Sequence, residues 1–301
     1  MTRPAAGRGD DHGMRLSINV TNFSWPGGAG GIGRDLDRVV RAADDGGLDT
    51  VWVGDHLLQM EPGADPAEPM LEAYTTLGWL AARTERVRLG TLVTAVSFRP
   101  PALLVKAVTT LDVLSGGRSW LGVGAGYQQE EARATGLPLP PVAERFALLE
   151  DTLRLADRMW SGDDRPYESA HLRLERPIGS PPPVRRPRVL IGGTGEKKTL
   201  RLVAEYADAC NVFDIPDGGR SIRHSLEVLA RHCEDVGRPY DAIEKTVSTR
   251  LGPDETPEAL AARCAELAGL GIQHAVVLTS GPWTTEAVGR LAAAVPAVRD
   301  L

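Results

Sequence analysis

A chain of 301 residues with 42% apolar content is long enough for a large α/β domain and ordinary for a globular protein. Its formal charge of −6 argues against a nucleic-acid partner, which needs a basic face. No run approaches the ~18 apolar residues of a membrane span, so neither membrane nor nucleic acid is an expected partner and a cytoplasmic location is. Cys210, Cys233 and Cys264 are widely spaced and form no CxxC pair, which predicts neither a disulfide framework nor a zinc site. They read as small buried apolar side chains. Residues 1–13 are polar, with no apolar core of the kind a signal peptide carries. They are expected to be a disordered tail, with one barrel domain over 14–301.

In chain order, short apolar runs rich in branched residues predict strands at Leu16–Val20, Thr50–Val53, Val87–Val93, Ser119–Val123, Arg188–Ile191, Ala209–Phe213, Thr246–Thr249 and His274–Thr279. Helical patterns separate them: Asp35–Gly46, Pro69–Arg83, Pro100–Leu114, Val142–Trp160, Glu196–Tyr206, Ser221–Val236, Pro257–Leu270 and Thr285–Ala293. Proline at the start and glycine past the end, as in Pro100 and Gly116-Gly117, is the usual helix asymmetry. Strand then helix, eight times over, predicts an α/β fold, a closed (β/α)8 TIM barrel. The segment Tyr167–Glu175 followed by the proline-rich Pro177–Pro187 reads as an insertion before strand five, a hairpin plus an extended stretch.

In such a barrel the site lies at the C-terminal ends of the strands. After strand two stands Asp55-His56. An adjacent carboxylate can hold an imidazole for proton transfer, while the plainer reading makes Asp55 a cap and His56 a packing residue. After strand four, Tyr127 follows Gly124-Ala125-Gly126 and is placed to stack on a planar ligand or to form the edge of the core. After strand five, Gly192-Gly193-Thr194-Gly195 opens a helix, the layout of an anion cradle with free N–H groups at a helix amino end. Lys197 and Lys198 add positive charge there. Glu130 and Glu131 read as the acidic first turn of a helix. Trp25 and Trp283, in loops, are candidates for a pocket wall. No cluster of histidines or carboxylates suggests a metal.

Seven segments in order carry a family likeness: Asp49–His56, Leu71–Leu77, Val87–Thr94, Leu111–Arg118, Leu121–Tyr127, Val142–Phe146 and Ile191–Leu200. On these the chain resembles the luciferase-like monooxygenase superfamily, in its coenzyme F420-dependent oxidoreductase branch. The resemblance implies F420 lying across the barrel mouth, with His56 near the reactive ring edge and Tyr127 a second catalytic candidate. It implies cofactor contacts from Asp55, from Thr94-Ala95 at a bulge often built on a non-proline cis peptide, from Gly124, Ala125, Gly126 and Tyr127, and from Gly192, Gly193, Thr194 and Gly195 at the phosphate. It also implies a homodimer through the helices at Pro69–Arg83 and Pro100–Leu114. The implied reaction is hydride transfer between the deazaflavin C5 and a small organic substrate, either reduction of C=C or C=N or oxidation of an alcohol. Ala95 and Tyr127 stand where many such enzymes have cysteine and tryptophan. The alternatives are an FMN-dependent two-component monooxygenase of the same superfamily and a ligand-binding barrel without chemistry.

Overall fold

A computed structural model describes residues 13–301. The expected tail lies outside the described residues except for Gly13. Strands β1 (Arg15–Val20), β2 (Thr50–Val53), β3 (Arg88–Thr91), β4 (Thr94–Ala95) and β5 (Trp120–Gly124) alternate with helices α1 (Ala29–Asp45), α2 (Ala73–Ala81) and α3 (Pro101–Ser115). Then come α4 (Gln129–Thr135), α5 (Val142–Ser161), a hairpin of β6 (Tyr167–Glu168) and β7 (Arg173–Leu174), β8 (Arg188–Gly192) and α6 (Thr199–Tyr206). The chain continues through β9 (Ala209–Phe213), α7 (Arg220–Val236), β10 (Glu244–Arg250), α8 (Pro257–Gly269), β11 (His274–Leu278) and α9 (Thr285–Arg299).

The main sheet runs β3-β2-β1-β11-β10-β9-β8-β5-β4, and every pairing within it is parallel. β3 and β4 are one strand interrupted at Leu92-Val93, where the peptide bond is cis. Both halves meet β5: Leu89 N–H donates to the Arg118 carbonyl at 2.9 Å, and Thr94 pairs with Val123. The sheet therefore closes into the expected eight-part barrel. Closure brings β3 so near β5 that a Cβ on Gly122 would lie 1.8 Å from the Thr91 carbonyl oxygen, so only glycine fits there.

Strand alternation sorts the side chains. Trp52, Trp120, Leu190, Ala209 and Val276 fill the lumen, with the two indoles 5.4 Å apart. Ile18, Val51, Leu121, Ile191, Val212, Val247 and Val277 face outward into the larger helix–sheet core. The three cysteines are buried, as expected. The insertion forms the expected hairpin, Tyr167 pairing with Leu174.

Several boundaries differ from the sequence reading. α1 begins at Ala29, inside the glycine-rich stretch, because Ile32 and Leu36 already lie on its buried face. α6 begins at Thr199 rather than Glu196, the residues before it forming a turn. α9 passes through Pro296 to Arg299, since Val295 and Val298 remain on its buried face beyond the proline.

At the N-terminal floor of the lumen, Glu244 binds Arg15 and Arg188, each at 2.7 Å, and His274 Nδ1 at 2.8 Å. His274 Nε2 bonds Ser17 Oγ. Burial pushes the Glu244 carboxyl up, but His274, Arg188 and Arg15 outweigh it and hold the group well below the usual carboxylate range. A depressed folded-state pKa contributes stability that is fully present above the ordinary value, near 4.5, and is lost as pH falls toward the folded value. Glu244→Gln is therefore expected to destabilise the protein by about 1.5–3 kcal/mol at neutral pH, the worth of hydrogen bonds to a charged group. Urea melts of both proteins should show the gap shrinking as the pH drops below 4.5.

Candidate active site

Asp55, just past β2, is 1% exposed. Arg99, from the loop before α3, grips it through both oxygens, Nη1 to Oδ2 at 2.6 Å and Nη2 to Oδ1 at 3.0 Å. Thr94 Oγ1 donates to Oδ2 at 2.6 Å. Arg99 also bonds Glu72 and lies over the Tyr74 ring, 4.7 Å from its centre. The Tyr74 hydroxyl reaches Thr94 Oγ1 at 3.1 Å. Burial and the nearby Asp55 charge push the Tyr74 hydroxyl up to about 12, so it stays a neutral donor. Burial alone would weaken the Arg99 cation, but Asp55 and Glu72 raise its pKa above the usual value. The result is a rigid ionic bracket between the ends of β2 and β4.

His56 is not held by Asp55. Its Nδ1 meets Glu131 Oε2 at 2.8 Å, and Glu131 comes from α4. The other carboxylate oxygen of Glu131 accepts the N–H groups of Leu57 at 2.7 Å and Leu58 at 3.3 Å. Glu131 is fully buried. Burial pushes its carboxyl up, but the His56 bond and charge and the two backbone N–H groups bring it below the usual range. An ionised partner at Nδ1 fixes the ring and leaves Nε2 without a partner among the described residues. That nitrogen can give or take a proton.

Across the mouth, the Leu92-Val93 step forms a shelf between β5 and β8. A Cβ on Gly124 would lie 3.1 Å from a Val93 methyl, and one on Gly192 would lie 3.0 Å away. The bulge thus sits two residues before the expected Thr94-Ala95. Thr94 is buried, with its hydroxyl spent on Asp55. Ala95 packs under Gly126, where a Cβ would come within 2.8 Å of the Ala95 methyl. Beyond the shelf, Gly193 has φ +109°, a conformation open to glycine, and its N–H donates to the Asn211 carbonyl at 3.3 Å. Thr194 and Gly195 are exposed, and no side chain caps α6 behind them. Ala125 lies half-buried between the shelf and Tyr127.

A family description, luciferase-like monooxygenase, matches residues 14–294. The chain belongs to that family. Among its relatives is the F420-dependent glucose-6-phosphate dehydrogenase of Kineococcus radiotolerans, 33% identical over 82% of this chain and 71% of that protein. The enzyme of the same description from Amycolatopsis mediterranei is 30% identical over 75% of this chain and 67% of that protein. Among solved structures, an F420-dependent secondary alcohol dehydrogenase bound to an F420-acetone adduct superposes with a TM-score of 0.81 at 17% identity. That match covers 96% of this chain and 100% of the other. It shares the barrel.

In this luciferase-like chain, His56 gathers with Glu131, while Asp55 and Thr94 gather with Arg99. Gly124 and Gly192 meet at Val93. Tyr127 stands apart, 72% exposed, with no hydrogen bond among the described residues. Trp25 and Trp283, expected as candidates for a pocket wall, fasten the first loop to the last. Both are buried, Trp25 Nε1 donating to the Trp283 carbonyl at 2.8 Å and Trp283 Nε1 to the Asn19 carbonyl at 2.8 Å. Glu131, Arg99, Glu72 and Tyr74 were not singled out from sequence as site residues. Arg99 could have been, as a cation in a strand-end loop, and Glu72 and Tyr74 lie within a family segment. The β2–α2 loop folds over the mouth. Its Glu61 accepts from Asn22 Nδ2 at 2.7 Å and from Gly281 N–H at 2.8 Å. Among the described residues, no group of histidine, cysteine or carboxylate ligands could hold a metal, and no helix is long and apolar enough to cross a membrane.

Proposed function

We propose that this chain is an F420-dependent oxidoreductase that moves a hydride between the deazaflavin and a small substrate bearing a hydroxyl or carbonyl group. The observation that carries the reading is the His56–Glu131 pair, standing on the barrel mouth that also holds the glycine shelf. The shelf suits a planar ring, because Gly124 and Gly192 present no side chains and let Val93 pack against both strands. The uncapped amino end of α6, behind Gly193-Thr194-Gly195, fits a phosphate. Bound there, F420 supplies the hydride chemistry at its ring C5.

The chain's own residues do the rest. Glu131 holds the His56 ring in one orientation, and Nε2 accepts the hydroxyl proton as an alcohol is oxidised, or returns it in the reverse direction. The Asp55–Arg99 bracket fixes the end of β2, from which His56 projects. Kinship with dehydrogenases of a sugar phosphate and of a secondary alcohol favours the hydroxyl–carbonyl couple over C=C or C=N reduction. Tyr127, exposed at the rim, is placed to close over bound ligand.

Titration of F420 fluorescence tests the reading. Micromolar or tighter binding is expected, and binding of FMN in its place would overturn it in favour of a flavin monooxygenase. In the same titration Gly193→Val is expected to weaken binding at least tenfold. A β-branched residue resists φ near +109°, and the loop would have to move. Unchanged affinity would remove the phosphate from this loop. The chain is further proposed to pair with a second copy through α2 and α3, where Leu103 and Leu114 are exposed. Light scattering should return about twice the 32.2 kDa chain mass.

A further inference from the structure

At the floor of the barrel, opposite the mouth, one layer of the lumen is charged. A Cβ on Gly90 would lie 2.7 Å from Trp120 and 2.9 Å from Trp52, so Gly90 faces the lumen. Arg88, two residues earlier on β3, points the same way. It joins Arg15, Arg188 and Glu244, three cations around one carboxylate. Glu244 is spent on Arg15 and Arg188, each at 2.7 Å. Arg88 is left over. It is half-buried, and its guanidinium makes no hydrogen bond and no ion pair among the described residues. Burial and the neighbouring Arg188 and Arg15 charges hold its pKa below the usual arginine value, against the longer-range pull of Asp49 and Glu244.

A cavity of about 240 Å³ opens at this floor, lined by Arg15, Arg86, Arg88, Arg299 and Asp49, among others. Asp49 is turned to Thr50 Oγ1 at 3.1 Å and to Arg15 at 3.8 Å. Arg86, on the exposed rim, is engaged by Asp45 at 2.7 Å. Arg299, also on the rim, donates to the Gly47 carbonyl at 3.0 Å, a neutral partner. Arg88 and Arg299 therefore reach the cavity with no carboxylate of their own among the described residues. A cation withdrawn from water without hydrogen-bond partners is costly, and a guanidinium is shaped to bind an oxyanion through paired N–H groups. Two such cations match a phosphate group, which carries about −1.5 to −2 at neutral pH. The His56–Glu131 pair and the Gly192–Gly195 loop lie at the other end of the barrel.

We propose that this floor cavity is an anion site separate from the mouth, in which Arg88 and Arg299 bind the phosphate group of a small molecule. Arg15 stays with Glu244, and Arg86 closes the rim.

Calorimetric titration with inorganic phosphate, at ionic strength held constant with sodium chloride, tests the site. Wild type is expected to bind with a dissociation constant of about 1 mM or below. Arg88→Met should weaken binding about ten- to a hundredfold, the loss of one or two charge-assisted bonds. Arg299→Met, at an exposed position, should weaken it too without threatening the fold. Gly193→Val, at the mouth, should leave it unchanged. Thermal melts supply a second readout. In phosphate-free buffer Arg88→Met should melt no lower than wild type, because its loss relieves the repulsion by Arg188 and Arg15. Phosphate should raise the melting temperature of wild type and not of Arg88→Met.

Binding that is absent, or seen only above about 10 mM, overturns the site. So does binding that Arg88→Met keeps in full and Gly193→Val loses, which puts the phosphate at the mouth. If Arg88→Met melts lower by the same amount with and without phosphate, Arg88 is a structural residue and the site falls. If phosphate binds the Asp10→Asn/Asp11→Asn variant and not wild type, the chain's own carboxylates at positions 10 and 11 occupy the cavity, and the free-ligand site falls as well.

Discussion

Asp55→Ala is expected to lower the unfolding free energy by about 3–5 kcal/mol, the cost of breaking a buried ion pair from one side. Arg99 would keep Glu72 but lose two bonds in a setting where its side chain is 15% exposed. Thr94 would lose its acceptor, and Tyr74 would be left above a partly uncompensated cation. Asp55→Asn should cost less, because the amide oxygen still accepts one bond. Urea unfolding followed by circular dichroism measures both. A loss under 1 kcal/mol for the alanine variant would mean that Glu72 alone can hold Arg99.

His56→Ala carries the largest expected effect on chemistry. Turnover should fall by about 10²–10⁴, the usual contribution of a positioned acid or base. The loss should appear in kcat more than in KM, because the proton contact strengthens toward the transition state. Stability and F420 affinity should change little, since His56 lies at the mouth and the shelf is built from other elements. Glu131→Gln is the companion. It retains an acceptor for Leu57 and Leu58 but removes the charge beside the ring, so a smaller fall in kcat is expected. Rapid mixing with F420, read at the deazaflavin absorbance, isolates the step. Transfer by His56→Ala at the wild-type rate would remove His56 from the proton path.

The barrel was legible because its signal is local. Each strand is a short branched run, each helix has its own apolar stripe, and repetition supplies the topology. The glycine run after β8 was legible for the same reason, although a turn over residues 196–198 separates it from the start of α6 at Thr199. The partners of the site residues were not. Asp55 looked like the holder of His56 because it is next in sequence, yet adjacent residues on an extended segment point to opposite sides. Asp55 turns to Arg99, 44 positions away, and His56 to Glu131, 75 positions away. Only the closed barrel sets those distances. The contact between Trp25 and Trp283 was hidden in the same way, since it forms only where the first and last loops meet.

The seam between β1 and β11 is fastened at both ends. On the floor, Ser17 meets His274, 257 positions later. Over the mouth, the Trp25–Trp283–Asn19 bonds and the Glu61 bridge to Gly281 join the same two edges. During synthesis β1 therefore emerges long before the strand that covers its edge. A nascent chain must carry that open edge, paired only with β2, until residues 274–283 leave the ribosome. Cotranslational folding should thus end in a single late closing event, and chaperone contacts on stalled chains should persist until that segment is released.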